Sequence, residues 1–246
     1  MANVKKKLKW FGRYVWEIFK ASLPSMFMYL CAGLIMFMLM SKTEEDSTEF
    51  EIAWKTSTKI WTIVCVLAAA AYNGLICWAH GGTHYEQLVS GNVKRFSEDA
   101  YGNAYKMSSH KEAKEYRVWK GFTFGAVTAI LTIITGIIFG CMQAEIDENG
   151  LNAPTMIFTL LSGWSVLPFY AMNTVSGTSI SYFVTIAFAA VPVVISGVFY
   201  IIGAYARRNK VIRQQQIADQ AAKAAETKEK KINYGGLPGT KPKKRK

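Results

Sequence analysis

Residues 121–142 read GFTFGAVTAILTIITGIIFGCM and hold no charged side chain over 22 consecutive positions. About 20 apolar residues in an α-helix suffice to cross the roughly 30 Å hydrocarbon core of a bilayer. Three other stretches, residues 23–40, 57–79 and 180–205, have a similar character, with Lys59 near the edge of the second. Soluble core helices rarely run so long without a charge. The sequence therefore predicts an all-α integral membrane protein.

Small residues recur every three or four positions along residues 121–142. Small side chains let two helix backbones approach closely, so contacts between helices replace contacts with lipid. This pattern, which we call the small-residue seam, predicts tight packing against another helix of the chain or against a membrane partner, including a second copy. The seam consists of Gly121, Gly125, Ala129, Thr132, Gly136 and Gly140.

Lysine and arginine are concentrated in three segments. Residues 1–20 hold six against one acid, residues 207–246 hold thirteen against three, and the polar connection 81–120 holds seven. Basic residues near span ends favour the cytoplasmic side of a membrane. All three segments, and hence both termini, are therefore expected in the cytoplasm. This requires an even number of crossings, and we predict a four-span helical bundle.

A fifth apolar stretch, residues 155–172, contains Ser162, Gly163 and Pro168. If it crossed the membrane, the polybasic tail at residues 206–246 would have to lie outside. We therefore predict a re-entrant or interfacial hairpin at the outer face, buried against protein because interrupted backbone is not tolerated in contact with lipid. Five spans are the alternative.

Two segments flank the predicted transmembrane domain, residues 21–205. In residues 1–20, apolar residues recur at the spacing of one helix face, which predicts a basic amphipathic helix lying on the membrane and ending before Pro24. The tail is predicted to be helical at first and disordered towards its Gly/Pro-containing basic end. The apolar stripe of the first segment is Val4, Leu8, Phe11, Val15 and Ile18.

The connection 81–120 contains two capping-box patterns, Thr83 with Glu86 and Ser109 with Glu112, each predicting the start of a helix. His80 and His84, which lie on either side of Thr83, have the i, i+4 spacing of a metal pair. However, Gly81 and Gly82 separate them and predict a break in the helix. The two histidines are therefore weak candidates, and no bound metal or cofactor is predicted.

Asn73, beside Tyr72, is the most polar residue in the centre of a span. It predicts either an interhelical hydrogen bond or part of a polar path. Charged residues are missing from the central parts of the four spans, which argues against a proton-coupled transporter. No nucleophile elbow, phosphate loop, zinc-protease motif or dinucleotide fingerprint is present either. Catalysis is accordingly the third hypothesis.

The basic ends predict contact with anionic lipid at the cytoplasmic face, since each lysine or arginine near such a surface adds about 1 kcal/mol of attraction. Nucleic acid or a ribosome is the minor alternative. The leading hypothesis is a non-enzymatic, multi-pass accessory or scaffold protein, of the plasma or inner membrane in a bacterium. A small transporter or channel component is the alternative. The lipid-contact candidates are Lys5, Lys6, Lys9, Arg13, Arg207, Arg208, Lys243, Lys244, Arg245 and Lys246.

Overall fold

The computed structural model describes residues 2–42, 51–52, 54–89, 96–98, 104–106 and 115–233. Its helices are α1 (Ala2–Met40), α2 (Thr56–Val89), α3 (Val118–Cys141), α4 (Gln143–Asn149), α5 (Ala153–Ser176) and α6 (Ala190–Asn233). A 3-10 helix, Tyr182–Ala189, leads directly into α6. Short strands pair antiparallel in two ribbons, β1 (Ser41–Lys42) with β2 (Glu51–Ile52) and β3 (Phe96–Glu98) with β4 (Ala104–Lys106).

Five segments of the described chain are helices long and apolar enough to cross a membrane. This confirms the prediction of a helical chain with several helices of membrane-spanning length and apolarity, and it adds α5 to the four such segments that the sequence predicts. Among the five, α5 is the most buried inside the protein. The five segments are Phe11–Met40, Thr56–Val89, Val118–Cys141, Ala153–Ser176 and Tyr182–Glu226.

The predicted break before Pro24 is wrong, because α1 is one continuous helix of 39 residues with Pro24 inside it. Proline removes one backbone hydrogen bond from a helix interior. Tertiary contacts hold the helix around this point: Ser22 is buried, and its hydroxyl lies 2.9 Å from the carbonyl oxygen of Ile18 and 3.1 Å from that of Phe124 in α3. Packing against α3 thus outweighs the local effect of the proline.

The predicted break at Gly81 and Gly82 is also wrong, since α2 runs without interruption to Val89. A Cβ atom added to Gly81 would overlap the carbonyl group of Tyr200 in α6. These glycines therefore allow two helix backbones to meet. The capping box at Thr83 is wrong for the same reason, because its hydroxyl donates to the carbonyl of Ala79 within the continuing helix, at 3.0 Å.

Helix α3 and the last helical segment run antiparallel. A Cβ atom added to Gly140 would lie 2.6 Å from the ring of Phe183, near the start of the 3-10 helix. On Gly125 it would overlap the backbone at Pro192 and Val193, and on Gly121 it falls 2.5 Å from Cβ of Tyr200. The end of α3 therefore lies beside the start of the 3-10 helix.

Helices α2 and α6 run parallel to each other. Asn73 pairs with Ser196 at 3.1 Å, Gly81 faces Tyr200, and Glu86 forms an ion pair with Arg207. In these three contacts, the residue numbers increase in the same direction along both helices. The pair forms the most extensive helix contact of the described chain.

Helix α5 consists of two helical segments joined at Ser162, whose φ of −146° and ψ of 33° are not helical. The hydroxyl of Ser162 lies 3.3 Å from that of Thr132, in the middle of α3. Six consecutive residues, 162–167, are buried around the whole circumference of the helix. Further on, the Tyr170 hydroxyl lies 3.6 Å from the Cβ position of Gly150, which precedes α5.

The predicted tail is helical as far as Asn233, where α6 ends. Its residues 212–226 are exposed. The remaining basic cluster of the tail, the second capping box with Ser109 and Glu112, and the side chains of the first lysines lie outside the described residues. These basic residues are Lys5, Lys6, Lys9, Lys243, Lys244, Arg245 and Lys246.

Candidate functional site

Charged and polar side chains converge at the end of the bundle where α2 ends and α3 begins. Lys120, in the first turn of α3, is buried, with 1% of its surface exposed. Its ammonium donates to the backbone carbonyl of Glu115 and lies 5.5 Å from the centre of the Tyr14 ring. A carbonyl oxygen and an aromatic face both stabilise a cation, which accounts for a lysine at this depth.

His80 and His84 lie on this side of α2, with ring centres 5.9 Å apart. Continuity of the helix brings them to one face, contrary to the prediction from the sequence. Both rings also pack near Phe124. Nδ1 of His84 lies 2.9 Å from the hydroxyl of Tyr200, and this contact fixes the orientation of the ring. No group of three histidine, cysteine, aspartate or glutamate residues is arranged as a metal site within the described ranges.

Aromatic rings form one wall of this region. Tyr200 is fully buried and stacks on Tyr116, with centres 5.3 Å apart and planes 9° from parallel. Tyr14 packs on Trp119 across α1 and α3, with centres 5.5 Å apart. Partial burial raises the pKa of Tyr116, because desolvation penalises the phenolate. The wall therefore presents aromatic rings, and the Tyr200 hydroxyl is held by its contact with His84.

A cavity of about 290 Å³, which we call the inner cavity, lies among α1, α2 and α3. Most of its polar lining can donate hydrogen bonds: two ammonium groups, two imidazoles, an amide and a hydroxyl, with a single carboxylate. Two lysines against one glutamate leave one positive charge. The lining residues are Glu17, Ile18, Lys20, Ala21, His80, Thr83, His84, Gln87, Lys120 and Phe124.

A second cavity, of about 360 Å³, lies on the other side of α2, against α6. Its main polar feature is the ion pair between Glu86 and Arg207, at 2.5 Å. Arg207, one of the predicted lipid contacts, is therefore engaged with a carboxylate in the protein. Arg208 lines a third, smaller cavity with Tyr116, and Arg13 lies on an exposed part of α1.

The two residues of the candidate polar path are separated by the structure. Asn73 is fully buried, and its amide nitrogen is 3.4 Å from the carbonyl oxygen of Pro192. Its side-chain oxygen accepts hydrogen bonds from Ser196 and, at 3.7 Å, from the thiol of Cys77. Tyr72 is 38% exposed on another face of α2.

The small-residue seam lies inside the protein rather than on its surface. All four of its glycines face the 3-10 helix or α6. The contacts of Gly121, Gly125 and Gly140 are given above, and Gly136 faces Thr185 and Ile186. Thr132 faces Ser162 in α5, and Ala129 is buried.

Lys120 and Tyr200 have central positions in the site that the sequence did not predict. In the sequence, Lys120 is the last residue of the polar connection 81–120, and Tyr200 lies within the apolar stretch 180–205. One signal was present, since Lys120 directly precedes the seam glycine Gly121 and must therefore enter the packed interface. Tyr200 carries no such signal, because its importance arises from the approach of α2.

The chain matches no family model, no curated protein and no solved structure.

Proposed function

We propose that the chain crosses the membrane four times, through α1, α2, α3 and the 3-10 helix with α6, while α5 forms a re-entrant hairpin. The antiparallel contact of α3 with the last segment supports this. Because Gly140 and Phe183 meet, residues 141–182 must leave and return at the same end of the bundle. One intervening crossing would have placed Phe183 at the opposite end of α3.

The distance between Tyr170 and Gly150 supports the hairpin. Twenty residues of straight helix would separate these positions by about 30 Å, yet the tyrosine hydroxyl lies 3.6 Å from the Cβ position of Gly150. The chain must therefore turn back near Ser162. Its non-helical backbone is enclosed by protein, which is the condition under which such backbone is stable at membrane depth.

We orient the bundle with both termini in the cytoplasm. Lys20, Lys120 and Arg207 all lie at the end where α2 finishes, and basic residues favour the inner side. At the other end, α4 carries the acids Glu145, Asp147 and Glu148 and no base. The inner cavity then lies at the depth of cytoplasmic lipid headgroups.

We propose that the protein is a non-enzymatic membrane scaffold or accessory protein that contacts anionic lipid, or a partner, at its cytoplasmic face. The observation that carries this is the close-packed centre of the bundle. Glycines bring backbones into contact there, and the central polar groups of Asn73, Ser196, Thr132 and Ser162 are paired across helices. None of the three cavities described above is lined by Asn73 or by α5.

A small transporter or channel component is the second candidate, because re-entrant segments line paths in many such proteins. The two functions predict different results for the full chain reconstituted in liposomes. A scaffold should leave ion and small-solute flux at the level of protein-free liposomes. It should also retain native partners or anionic lipid when purified from its membrane in mild detergent. Flux that depends on the protein would overturn the scaffold proposal.

A further inference from the structure

The second cavity, which we call the interhelix groove, lies between the parallel helices α2 and α6 at the end of the bundle where α2 finishes. The two backbones meet beneath it, because a Cβ atom added to Gly203 would overlap the carbonyl group of Trp78. Its rim is on the outside of the bundle, since Trp78, Ala79 and Ala206 are all exposed. The groove is therefore open to whatever surrounds the protein.

The interhelix groove is apolar at one end and charged at the other. Trp78 and Gly203 line the end nearer the centre of the bundle, and Glu86 and Lys210 line the other end. Seven or eight residues of helix separate the two ends along each wall, which corresponds to about 10–12 Å. In the proposed orientation, this change from apolar to charged occurs at the cytoplasmic surface of the membrane, the depth that tryptophan prefers. An amphiphilic ligand matches such a groove.

The charged end can bind an anion. Lys210 is exposed, and no hydrogen bond or ion pair joins it to another of the described residues. Arg207 uses Nη2 for its ion pair with Glu86, while its Nε has no hydrogen-bond partner in the described part of the chain. A guanidinium has five N–H donors, so the ion pair leaves others for a ligand. Two cations against one carboxylate leave one positive charge, which balances the single negative charge of a phosphodiester.

We propose that the interhelix groove binds one anionic phospholipid, with its phosphodiester at Lys210 and Arg207 and its glycerol beside Trp78. The volume of about 360 Å³ accommodates a headgroup with its glycerol. The acyl chains then continue along the exposed apolar residues Leu75 and Ile202, one turn closer to the centre of the bundle. This inference rests on the proposed contact with anionic lipid, and it gives that contact a discrete site separate from the tail.

Gly82 allows the groove to be filled without disturbing the helix contact. A Cβ atom added there would lie 3.5 Å from the carbonyl oxygen of Gly203 and 3.9 Å from Cβ of Arg207, and both are ordinary contact distances. Gly82→Ala should therefore bind lipid within about twofold of the parent. The longer side chain in Gly82→Leu occupies the groove and should abolish binding. Since leucine favours a helix more than glycine does, this variant should melt no lower than the parent, which separates blocked binding from unfolding.

The charged end is tested by Lys210→Gln, which should weaken binding about tenfold. Arg208→Gln is the matched control, because it removes the same charge from the same part of α6, whereas Arg208 lines the third cavity instead. The full chain in detergent is titrated with phosphatidylglycerol, with phosphatidylcholine and with glycerophosphoglycerol, the deacylated headgroup. Native mass spectrometry and the melting temperature follow the binding. We expect one tight phosphatidylglycerol site and at least tenfold weaker binding of the other two compounds.

Equal affinities of the parent, Gly82→Leu and Lys210→Gln for phosphatidylglycerol would overturn the proposal. An equal loss in Arg208→Gln and Lys210→Gln would also overturn it, since it would show attraction by general charge. Equally tight binding of glycerophosphoglycerol would rule out a lipid site, because the apolar end would then contribute nothing.

The tail contact is distinguished by replacing the four bases at residues 243–246 by glutamine. This variant should keep the phosphatidylglycerol site, so the tail contact can fail while the groove still binds lipid. Conversely, a tail that contacts anionic liposomes in a protein whose affinity is unchanged by Gly82→Leu would overturn the groove alone.

Discussion

The hydroxyl of Ser196 in α6 donates a hydrogen bond of 3.1 Å to the side-chain oxygen of Asn73 in α2, and both residues are fully buried. The same asparagine approaches the carbonyl of Pro192. These contacts fix the register of two parallel helices at the centre of the bundle. They also give the most polar residue within the predicted spans hydrogen-bond partners on a neighbouring helix.

Asn73→Leu should lower the free energy of unfolding by about 0.5–2 kcal/mol, the range of interhelical hydrogen bonds in membranes. Thermal unfolding in detergent provides the measurement. Tyr72→Phe is the control, since its ring faces away from this contact and keeps its apolar area. If Asn73→Leu melted like the parent, the hydrogen bonds of Asn73 would contribute nothing to stability.

Gly81→Ala should destabilise the protein by about 1–3 kcal/mol, because the added methyl group would overlap the carbonyl of Tyr200 and force α2 and α6 apart. Gly12→Ala makes the same chemical change in α1 where nothing lies within 4 Å. That control should be neutral or more stable, by up to about 1 kcal/mol, through helix propensity. Equal melting temperatures for the two variants would contradict the close contact.

These residues show what a single sequence can and cannot predict. The long apolar helices were predictable, because a run of about 20 residues without a charge is typical of a helix that crosses a bilayer. Gly81 and Gly82 were interpreted as a helix break because local propensity was the only information on them. Their role depends on the backbone of α6, more than 100 residues away. The break predicted at Pro24 is absent for a similar reason, because contacts with α3 keep the helix continuous there.

The candidate site was less predictable than the fold. His80 and His84 were identified by spacing, but the break predicted between them separated the two rings. The buried position of Lys120 follows from the glycine beside it, which draws the helix end into the bundle. By contrast, Tyr200 enters the site only because α2 and α6 run parallel, and no local pattern encodes that.

Within the seam, Gly125→Ile should cost about 1–3 kcal/mol through overlap with the backbone at Pro192 and Val193. Gly136→Ile should behave similarly, since a side chain there meets Thr185 and Ile186. Ile130→Leu is the control, because Ile130 is 48% exposed. Detergent melting curves distinguish the cases, and three curves that match the parent would rule out a close-packed seam.

Topology reporters fused after Asp46, Ser97, Glu148 and Lys246 test the four-span proposal. We expect cytoplasmic signals at Ser97 and Lys246 and external signals at Asp46 and Glu148. The reason is that α2 and α6 run parallel, so both should end on the inner side. An external signal at Lys246 would show that α5 crosses the membrane and that the count is five.

The last prediction concerns the polybasic tail. Its thirteen bases against three acids should hold residues 207–246 at an anionic membrane surface. A dye attached through Thr240→Cys, in the full chain with the four native cysteines replaced by serine, should be quenched by a membrane-bound quencher in anionic liposomes and not in neutral ones. Raising the salt from 0.1 M to 1 M should abolish quenching, because the screening length falls from about 10 Å to about 3 Å.

Attraction by summed charge should not depend on residue order. Scrambling residues 232–238, which keeps the net charge constant, should therefore leave quenching unchanged, while replacing Lys243, Lys244, Arg245 and Lys246 by glutamine should reduce it strongly. Recognition by a specific partner would respond in the opposite way, because it requires the order of side chains that contact the partner. A scrambled tail that kept its lipid contact but lost a co-purifying protein or ribosome would assign the tail to that partner instead of the membrane.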